Sequence, residues 1–286
     1  MAILEGGFLK GSIGNHTFRM MNNKQVVSAK IAKGQMKQTE ATKKMAGVFG
    51  KASRLGKQVR ETVRWSLGKL YDPAMSRRLT TDLREILNMC RDAETEQYTF
   101  DERSFSPLNG FDYNLKSPLN KSLVKNLTSQ MKDGVLSIDL PASKPLDLLV
   151  FPAESSACEL AIEVSMFRLA SGKKKYAAAV QSIKIEKGAA SIDQQHFEFK
   201  VPDGCLCVVN VFLKFYSVFR ELSTIINSKT FSPAGICVAF VTPDVADMAD
   251  QKNWVRMYLN FDVKMKPVNS ILSGKAMINA NKMPPI

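Results

Sequence analysis

Two short segments of the sequence contain residue types that could bind phosphate or cleave a glycosidic bond. Residues 6–12, Gly-Gly-Phe-Leu-Lys-Gly-Ser, have the composition of a phosphate-binding loop, but such a loop needs Gly-Lys-Ser/Thr in that order at the start of a helix. A flexible turn before the first hairpin is therefore favoured. Glu159 and Glu163 fall on one face of a predicted strand. Two carboxylates so placed could serve glycosidic chemistry, but a solvated strand face is the favoured interpretation.

Cysteine and histidine could supply metal ligands or a catalytic base. Cys205 and Cys207 would share one strand face, but no other ligand is close in sequence, and zinc sites use clustered ligands. Buried, reduced thiols are favoured, which indicates a reducing compartment. His16 and His196 are isolated and are expected at surface or cross-strand positions. A triad around one of them stays open, although the sequence has no Gly-x-Ser-x-Gly elbow. We predict no catalytic residue, no metal site and no cofactor.

Basic side chains near the N-terminus form the pattern that points most clearly to a function. Residues 1–91 contain 18 basic and 6 acidic side chains, a net charge of +12, whereas the remaining 195 residues have a net charge of +1. Such a split indicates a basic module that meets an anionic partner. The candidate contacts lie on a connector and on one face of a predicted helix: Lys30, Lys33, Lys37, Lys43, Lys44, Lys51, Arg54, Lys57, Arg60 and Arg64.

The charge alone leaves the partner open between nucleic acid and an acidic protein face. Six phosphate contacts would give log affinity against log salt a slope of about −5, enough for non-specific binding of DNA or RNA. Aromatic side chains that stack on unpaired bases are almost absent from the predicted basic helix, where only Phe49 and Trp65 occur. No sequence-specific recognition signature is present. Lys173, Lys174 and Lys175 form a second basic run at a predicted hairpin tip, for which solubility is the favoured explanation.

The elements that position the basic side chains are a hairpin and two helices. The residue pattern predicts a β-hairpin over residues 13–31. Thr39 is predicted to cap a helix whose apolar residues recur every three or four positions over residues 45–70. Asp72 is predicted to cap a second amphipathic helix with Pro73 at its first position, and the apolar face of this helix runs from Met75 to Cys90. The two helices are expected to pack as an antiparallel pair, with glycines permitting close contact.

Beyond about residue 98 the sequence has the pattern of strands joined by short turns without intervening helices. The predicted strands cover residues 134–141, 159–168, 176–186, 196–201, 205–218, 235–242 and 254–265. The expected fold is α+β: an N-terminal β-hairpin and two-helix basic module over residues 1–97, then an antiparallel β-sandwich domain, Ig-like or jelly-roll-like, over residues 98–286. A barrel is the less favoured alternative.

Several short motifs resemble those of a known family. They are Gly11-Ser12-Ile13-Gly14-Asn15, Asn23-Lys24-Gln25-Val26-Val27, Lys37-Gln38-Thr39-Glu40 and Asn109-Gly110-Phe111-Asp112-Tyr113-Asn114. The sequence resembles a bacterial, partly phage-associated family of unknown function, whose members begin with a glycine-rich hairpin, a basic stretch and a Thr-Glu helix start. The resemblance covers roughly the first 140 residues and implies an architecture with a β-rich C-terminal part, but no catalytic residue. Many members are richer in arginine in the hairpin, where this sequence has only Arg19.

Composition and targeting signals narrow the classes of protein. With 45% hydrophobic and 23% charged residues, the chain is expected to be globular. The sequence shows no secretory signal and no apolar run of the roughly 18 residues that span a bilayer, so we expect a cytoplasmic protein, or a virion protein if it is phage-encoded. We predict a non-enzymatic structural or assembly protein, acting as a homo-oligomer or with a protein partner in a phage-like or filamentous assembly. The alternative is a non-specific nucleic-acid-binding protein that uses the basic helix.

Overall fold

The chain forms two compact units. The structure, a computed structural model, describes residues 2–21, 24–31, 39–220, 222–243, 253–263 and 276–277. Contacts separate Met1–Gly47, here called the N-terminal unit, from Val48–Ile286, the main unit. The boundary predicted between residues 97 and 98 stays a prediction. In the structure, the helices before that position share a hydrophobic core with the large sheet after it.

The N-terminal unit contains an antiparallel meander of four short strands: β1 (Ala2–Glu5), β2 (Phe8–Ile13), β3 (His16–Met21) and β4 (Lys24–Ala29). The hairpin predicted over residues 13–31 is present as β3 and β4. The prediction of a turn over residues 6–12 is correct only for Gly6 and Gly7, because residues 8–12 form most of β2. Gly6 and Gly7 adopt φ of +60° and +82°, the positive values that a two-residue type I′ turn requires.

Three helices follow: α1 (Glu40–Thr62), α2 (Arg64–Leu67) and α3 (Met75–Cys90). The predicted cap is confirmed, because the Thr42 amide donates to Thr39 Oγ1 at 3.2 Å. The helix predicted over residues 45–70 ends earlier, and Val63, with φ −92° and ψ 6°, separates α1 from α2. Within the described part of the chain, no helix is long and apolar enough to cross a membrane.

The apolar stripes of α1 and α3 are buried, as their spacing predicts. The buried side chains include Val48, Ala52, Leu55 and Val59 of α1 and Met75, Leu79, Leu83, Ile86 and Leu87 of α3. The two helices approach closely at Gly56, where an added Cβ would lie 3.4 Å from Leu83 Cδ1 and 3.6 Å from Thr80 Oγ1. These are ordinary van der Waals distances, so the helices pack side by side here and the close approach does not require a glycine. Phe49 departs from the prediction, since its side chain is 52% exposed.

The main unit contains two antiparallel sheets and a few short helical turns. The large sheet has the order β15-β9-β8-β12-β14-β5, with β10 paired to β8 and β13 paired to β12, and the small sheet has the order β11-β7-β6-β16. The strands are β5 (Phe111–Asp112), β6 (Thr128–Lys132), β7 (Val135–Leu140), β8 (Ala157–Arg168), β9 (Lys173–Lys175), β10 (Ala179–Glu186), β11 (Gln195–Lys200), β12 (Leu206–Phe219), β13 (Leu222–Ile225), β14 (Ala234–Val241), β15 (Trp254–Arg256) and β16 (Ala276–Met277). The helical turns are Ser106–Leu108, Leu119–Lys121 and α4 (Pro145–Leu148).

The strand prediction over residues 254–265 is only partly correct. Within its described part, only Trp254–Arg256 forms a strand, which pairs with β9. Met257, Leu259 and Phe261 are nevertheless buried, as their alternation predicts, and Phe261 packs edge-on to Tyr98 at a centroid distance of 5.1 Å. Separate backbone hydrogen bonds hold this segment in place of a regular ladder: the Phe261 amide donates to the Leu169 carbonyl at 3.1 Å, and the Asp262 carbonyl accepts from the Tyr98 amide at 2.7 Å.

Two hydrophobic cores lie on the two faces of the large sheet. The first joins α1 and α3 to side chains such as Phe167, Val208 and Phe212 of the sheet. The second contains side chains of both sheets, among them Ile138 and Phe199 from the small sheet and Val209 from the large one. The chain is therefore α+β and rich in antiparallel sheet, with strands β8 and β12 covered on both faces.

An ion pair between the buried Asp72 and the half-buried Arg78 fixes the start of α3 to the strand β5. Asp72 Oδ1 accepts from the Ala74 amide at 2.8 Å, and Oδ2 accepts from Arg78 Nη2 at 2.5 Å and from the Leu115 amide at 3.3 Å. Arg78 Nη2 also donates to the Asp112 carbonyl at 2.9 Å. Burial opposes ionisation of Asp72, but the hydrogen bonds from Arg78, Leu115 and Ala74 outweigh it and hold the pKa of this carboxyl below its usual range.

We expect Asp72→Ala to lower the free energy of unfolding by about 3 kcal/mol, because it leaves the half-buried Arg78 without its carboxylate and removes the acceptor of the Ala74 amide. The measurement is urea unfolding at pH 7. The matched control is Glu85→Ala, since Glu85 is exposed and its carboxylate lies 3.9 Å from Arg84, a geometry for which a change of about 0.5 kcal/mol or less is expected. Equal stability of Asp72→Ala and the wild type would contradict the assigned role.

Candidate functional site

The structure sorts the ten predicted anion contacts into different environments. Lys33 and Lys37 lie outside the described residues. In the N-terminal unit, Lys30 and Lys44 are exposed, and Lys43 Nζ lies 2.8 Å from Glu40 Oε1. The other five belong to the main unit, in α1 and at the start of α2.

Lys51 is half-buried, and its ammonium lies against aromatic rings. Its Nζ lies 4.5 Å from the Tyr98 ring centroid and 5.6 Å from that of Phe261. Desolvation, with Arg91 adding repulsion, lowers the pKa of Lys51 below its usual value. The ammonium therefore covers the edge of the helix-side core, where cations and aromatic faces attract each other.

Four of the predicted cations remain on one helix surface: Arg54, Lys57, Arg60 and Arg64, here called the basic band. Arg54, Lys57 and Arg64 are exposed and Arg60 is half-buried. Glu61 is the carboxylate next to them, and it lies 3.7 Å from Lys57 Nζ and 3.1 Å from Lys174 Nζ. Because two lysines offset this single carboxylate, the band keeps a net positive charge.

The pairing register of the N-terminal sheet places all the charged side chains of its strands on one face, which also carries Ile3, Phe8, Val26 and Met21. The sequence prediction missed this feature. The pairs Leu4–Leu9, Gly11–Phe18 and Phe18–Val27 place one set of residues on a common side, here called the apolar face. Its members are Ala2, Leu4, Leu9, Gly11, Ile13, His16, Phe18, Met20, Gln25, Val27 and Ala29. The charged side chains of the strands, Glu5, Lys10, Arg19 and Lys24, lie on the opposite face.

The apolar face is exposed to an unusual extent. Leu4, Ile13 and Val27 are 72%, 52% and 51% exposed, and none of the described residues of β1–β4 is fully buried. The Gln25 side chain binds the Leu9 backbone at both its amide (3.0 Å) and its carbonyl (2.8 Å), so it ties β4 to β2 across the sheet. Backbone hydrogen bonds and the Gln25 side chain therefore hold the four strands together, since the sheet has no buried core of its own.

The predicted pair of glutamates does not form a glycosidase site. Residues four apart in a strand lie about 13 Å apart, beyond the roughly 5–9.5 Å that separates catalytic carboxylates in glycosidases. Glu159 Oε2 accepts from Tyr216 Oη at 2.9 Å. Glu163 is only 3% exposed, and its Oε2 has no hydrogen-bond partner among the described residues. The prediction of a solvated strand face is therefore wrong for Glu163.

Glu163 belongs to a polar network between the helices and the large sheet. Tyr113 Oη donates to Asn210 Oδ1 at 2.6 Å, and Asn210 Nδ2 donates to the Glu163 carbonyl at 3.1 Å. Burial raises the pKa of the Glu163 carboxyl, while a hydrogen bond with Ser66 and the charge of Lys214 act in the opposite direction. The sequence held one signal for this network: Asn210 stands among apolar residues over positions 206–213 of β12.

The cysteines and histidines occupy separate places. Cys205 and Cys207 are buried free thiols, and burial raises the pKa of Cys205 to about 11. His196 lies on the small sheet between Asp139 (2.5 Å from Nδ1) and Glu198 (3.1 Å from Nε2), and the hydrogen bonds with these carboxylates raise its pKa. His16 is exposed in the N-terminal sheet. Within the described ranges, no group of His, Cys, Asp and Glu side chains could hold a metal ion.

Comparisons with protein-family models, with curated proteins and with solved structures found no match for this chain. The resemblance to a bacterial, partly phage-associated family therefore stays a prediction. The surfaces described above, namely the apolar face, the basic band and the polar network around Glu163, are what the functional argument can use.

We expect the stability of Glu163→Gln to exceed that of the wild type increasingly as pH rises. Because the folded-state pKa of Glu163 is raised, the protonated form stabilises the fold below the usual carboxyl pKa near 4.5, and this contribution is lost as pH rises through the raised value. Glutamine cannot ionise and keeps the shape. Urea midpoints at pH 4.5, 6 and 8 test this, with the exposed Glu94→Gln as control. A constant difference between Glu163→Gln and wild type across this range would refute the assignment.

Proposed function

We propose that the protein is a non-enzymatic structural or assembly protein that associates with further copies of itself through the apolar face of its N-terminal sheet. In this proposal the main unit, with an Ig-like or jelly-roll-like sandwich, is the body of the subunit. The assembly is phage-like or filamentous, in the cytoplasm or in a virion. The observation that carries the proposal is the exposure of Leu4, Ile13 and Val27 on a sheet without a buried core.

The hydrophobic effect supplies the reason to cover this face. Fully burying one large aliphatic side chain stabilises by about 1.5–3 kcal/mol, and three such side chains are more than half exposed here. A small sheet gains independent stability when its apolar face packs against something. The free edges of β1 and β4 add backbone groups that a neighbouring sheet could pair with.

Charge favours a second copy as the occupant. The chain has a formal net charge of +13, so two copies repel each other over most of their surface. On the apolar face no side chain is charged at pH 7 with His16 neutral, so two copies can meet there without bringing like charges together. An acidic partner would instead bind the opposite face, where Lys10, Arg19 and Lys24 lie. A twofold contact of identical patches is also the commonest arrangement in soluble oligomers.

We expect Leu4→Lys to convert the wild-type oligomer into a monomer, because a lysine on each copy would place like charges in the contact. The measurement is mass by light scattering over a range of concentrations, at low and at high salt. The matched control is Ile3→Lys, the neighbouring residue on the opposite face, which should retain the wild-type mass. A wild-type protein that is strictly monomeric at working concentration, or an Ile3→Lys variant that dissociates equally, would overturn the proposal.

A second candidate function is non-specific binding of nucleic acid by the basic band. The observation that favours it is the exposure of Arg54, Lys57 and Arg64 along one helix surface. Lys51 lies against aromatic rings, and Lys57 is paired with Glu61. We therefore count three phosphate contacts, from Arg54, Arg60 and Arg64, instead of six. This gives an expected slope of log affinity against log salt of about −3 on duplex DNA.

We expect the double variant Arg54→Glu/Arg60→Glu to bind duplex DNA at least tenfold more weakly than the wild type and to reduce the salt slope by about 2, since two phosphate contacts are lost. The measurement is a gel shift titrated with salt from about 50 mM. The control is Lys132→Glu/Lys200→Glu, which makes the same charge change at exposed positions of the small sheet. Absence of any wild-type shift at the lowest salt would remove this candidate.

A further inference from the structure

Trp65 is the most unusual exposed side chain of the helical region. It lies in α2, directly after the basic band, and 85% of its surface is exposed. The guanidinium of Arg64 lies over the ring, 4.7 Å from its centroid. An indole with one face stacked on a cation and such a high exposure has its other face open to a planar group.

The surroundings of Trp65 are positively charged. Arg60 lies in the last turn of α1, and Arg64 begins α2 directly after the break at Val63. The Gly68 amide donates to the Arg64 carbonyl at 2.9 Å and closes the turn that carries Trp65. Lys69 is exposed just after α2. Glu61, the carboxylate four residues before Trp65, is already paired with Lys57 and Lys174.

We propose that Trp65 is a stacking platform for an unpaired base, and that Arg60, Arg64 and Lys69 contact the phosphates beside it, so that the helical region binds single-stranded nucleic acid. This inference rests on the second candidate function above, since it names the form of nucleic acid that the basic band would take. The combination of an open aromatic face with a basic surface is the recurring chemistry of single-strand binding sites.

The chemistry favours a single strand over the other anionic partners. Bases in a duplex are already stacked on one another, so the open indole face gains nothing from them. Carboxylates of an acidic protein would satisfy Arg60 and Arg64 but would leave the ring in water. A splayed base satisfies both, because every base has a π-face and each is followed by a phosphate.

The test uses the intrinsic fluorescence of the full chain, which contains two tryptophans, Trp65 and Trp254. The Trp254 ring is only half-exposed and has the guanidinium of Arg168 4.1 Å from its centroid. Oligo(dT) of eight nucleotides is titrated into wild type, Trp65→Ala and Trp65→Phe, and binding of the labelled oligonucleotide is followed in parallel by anisotropy. Duplex DNA and polyglutamate serve as comparison ligands.

We expect oligo(dT) to quench the wild-type fluorescence, and Trp65→Ala to bind it about 5- to 150-fold more weakly, the range typical of removing one stacking side chain. Trp65→Phe should retain most of the affinity, because phenylalanine also stacks. Three single-strand phosphate contacts should give a salt slope of about −2. Because Trp65 is exposed, both variants should have the urea midpoint of the wild type. Measuring that midpoint for each variant distinguishes lost stacking from a folding defect.

Different failures have different meanings. If Trp65→Ala binds oligo(dT) as tightly as the wild type while duplex binding depends on Arg54 and Arg60, the stacking inference is wrong and non-specific nucleic-acid binding stands. If neither oligo(dT) nor duplex DNA binds at about 50 mM salt, both are wrong. Equal quenching by polyglutamate would also overturn the inference, because it would identify the surface as a contact for acidic protein.

Discussion

Strands β8 and β12 pack against helices on one face and against the small sheet on the other, and this double burial constrains the whole main unit. Both alternating sets of side chains must then be apolar or find polar partners. Asn210 meets this demand by binding Tyr113 and the Glu163 carbonyl. Ser165 does so by donating to Thr62 Oγ1 at 2.8 Å. Apolar packing thus joins the helices to the sheet, and a few buried hydrogen bonds lie within that packing. Among the side chains of this network, Glu163 has an oxygen, Oε2, without a hydrogen-bond partner among the described residues.

Local periodicity predicts a large part of this fold. Steps of three and four place Leu55, Val59, Leu79 and Leu83 inside, because the pitch of a helix alone decides which residues share a face. Local periodicity does not predict the order of the strands in the sheets, because that order depends on pairing between strands far apart in sequence, such as β8 and β12. For the same reason the inward turn of Lys51 was missed, because its aromatic partners come from residues 98 and 261. Trp65 could be located in sequence, but its exposure follows from where α1 ends.

The two candidate surfaces differ in physical character. The apolar face is uncharged, so contacts made there should strengthen or persist as salt is added. The basic band works through charge, so its contacts weaken under the same conditions. Salt concentration therefore separates the two proposed activities within one chain. The separation arises from sequence at short range: alternation within strands sorts the charges of β1–β4 onto one side, and helical spacing collects Arg54, Arg60 and Arg64 on another surface.

The buried cysteines have a consequence for the environments in which the chain can exist. Cys158, Cys205, Cys207 and Cys237 are inaccessible, and burial raises the pKa of each thiol, to about 12 for Cys237. Oxidants and disulfides react with the thiolate rather than the thiol, so these four sulfurs are chemically silent while the fold is intact. While the fold is intact, these four thiols should neither oxidise nor form disulfides, so the part of the main unit around them is stabilised by packing and does not depend on a redox state.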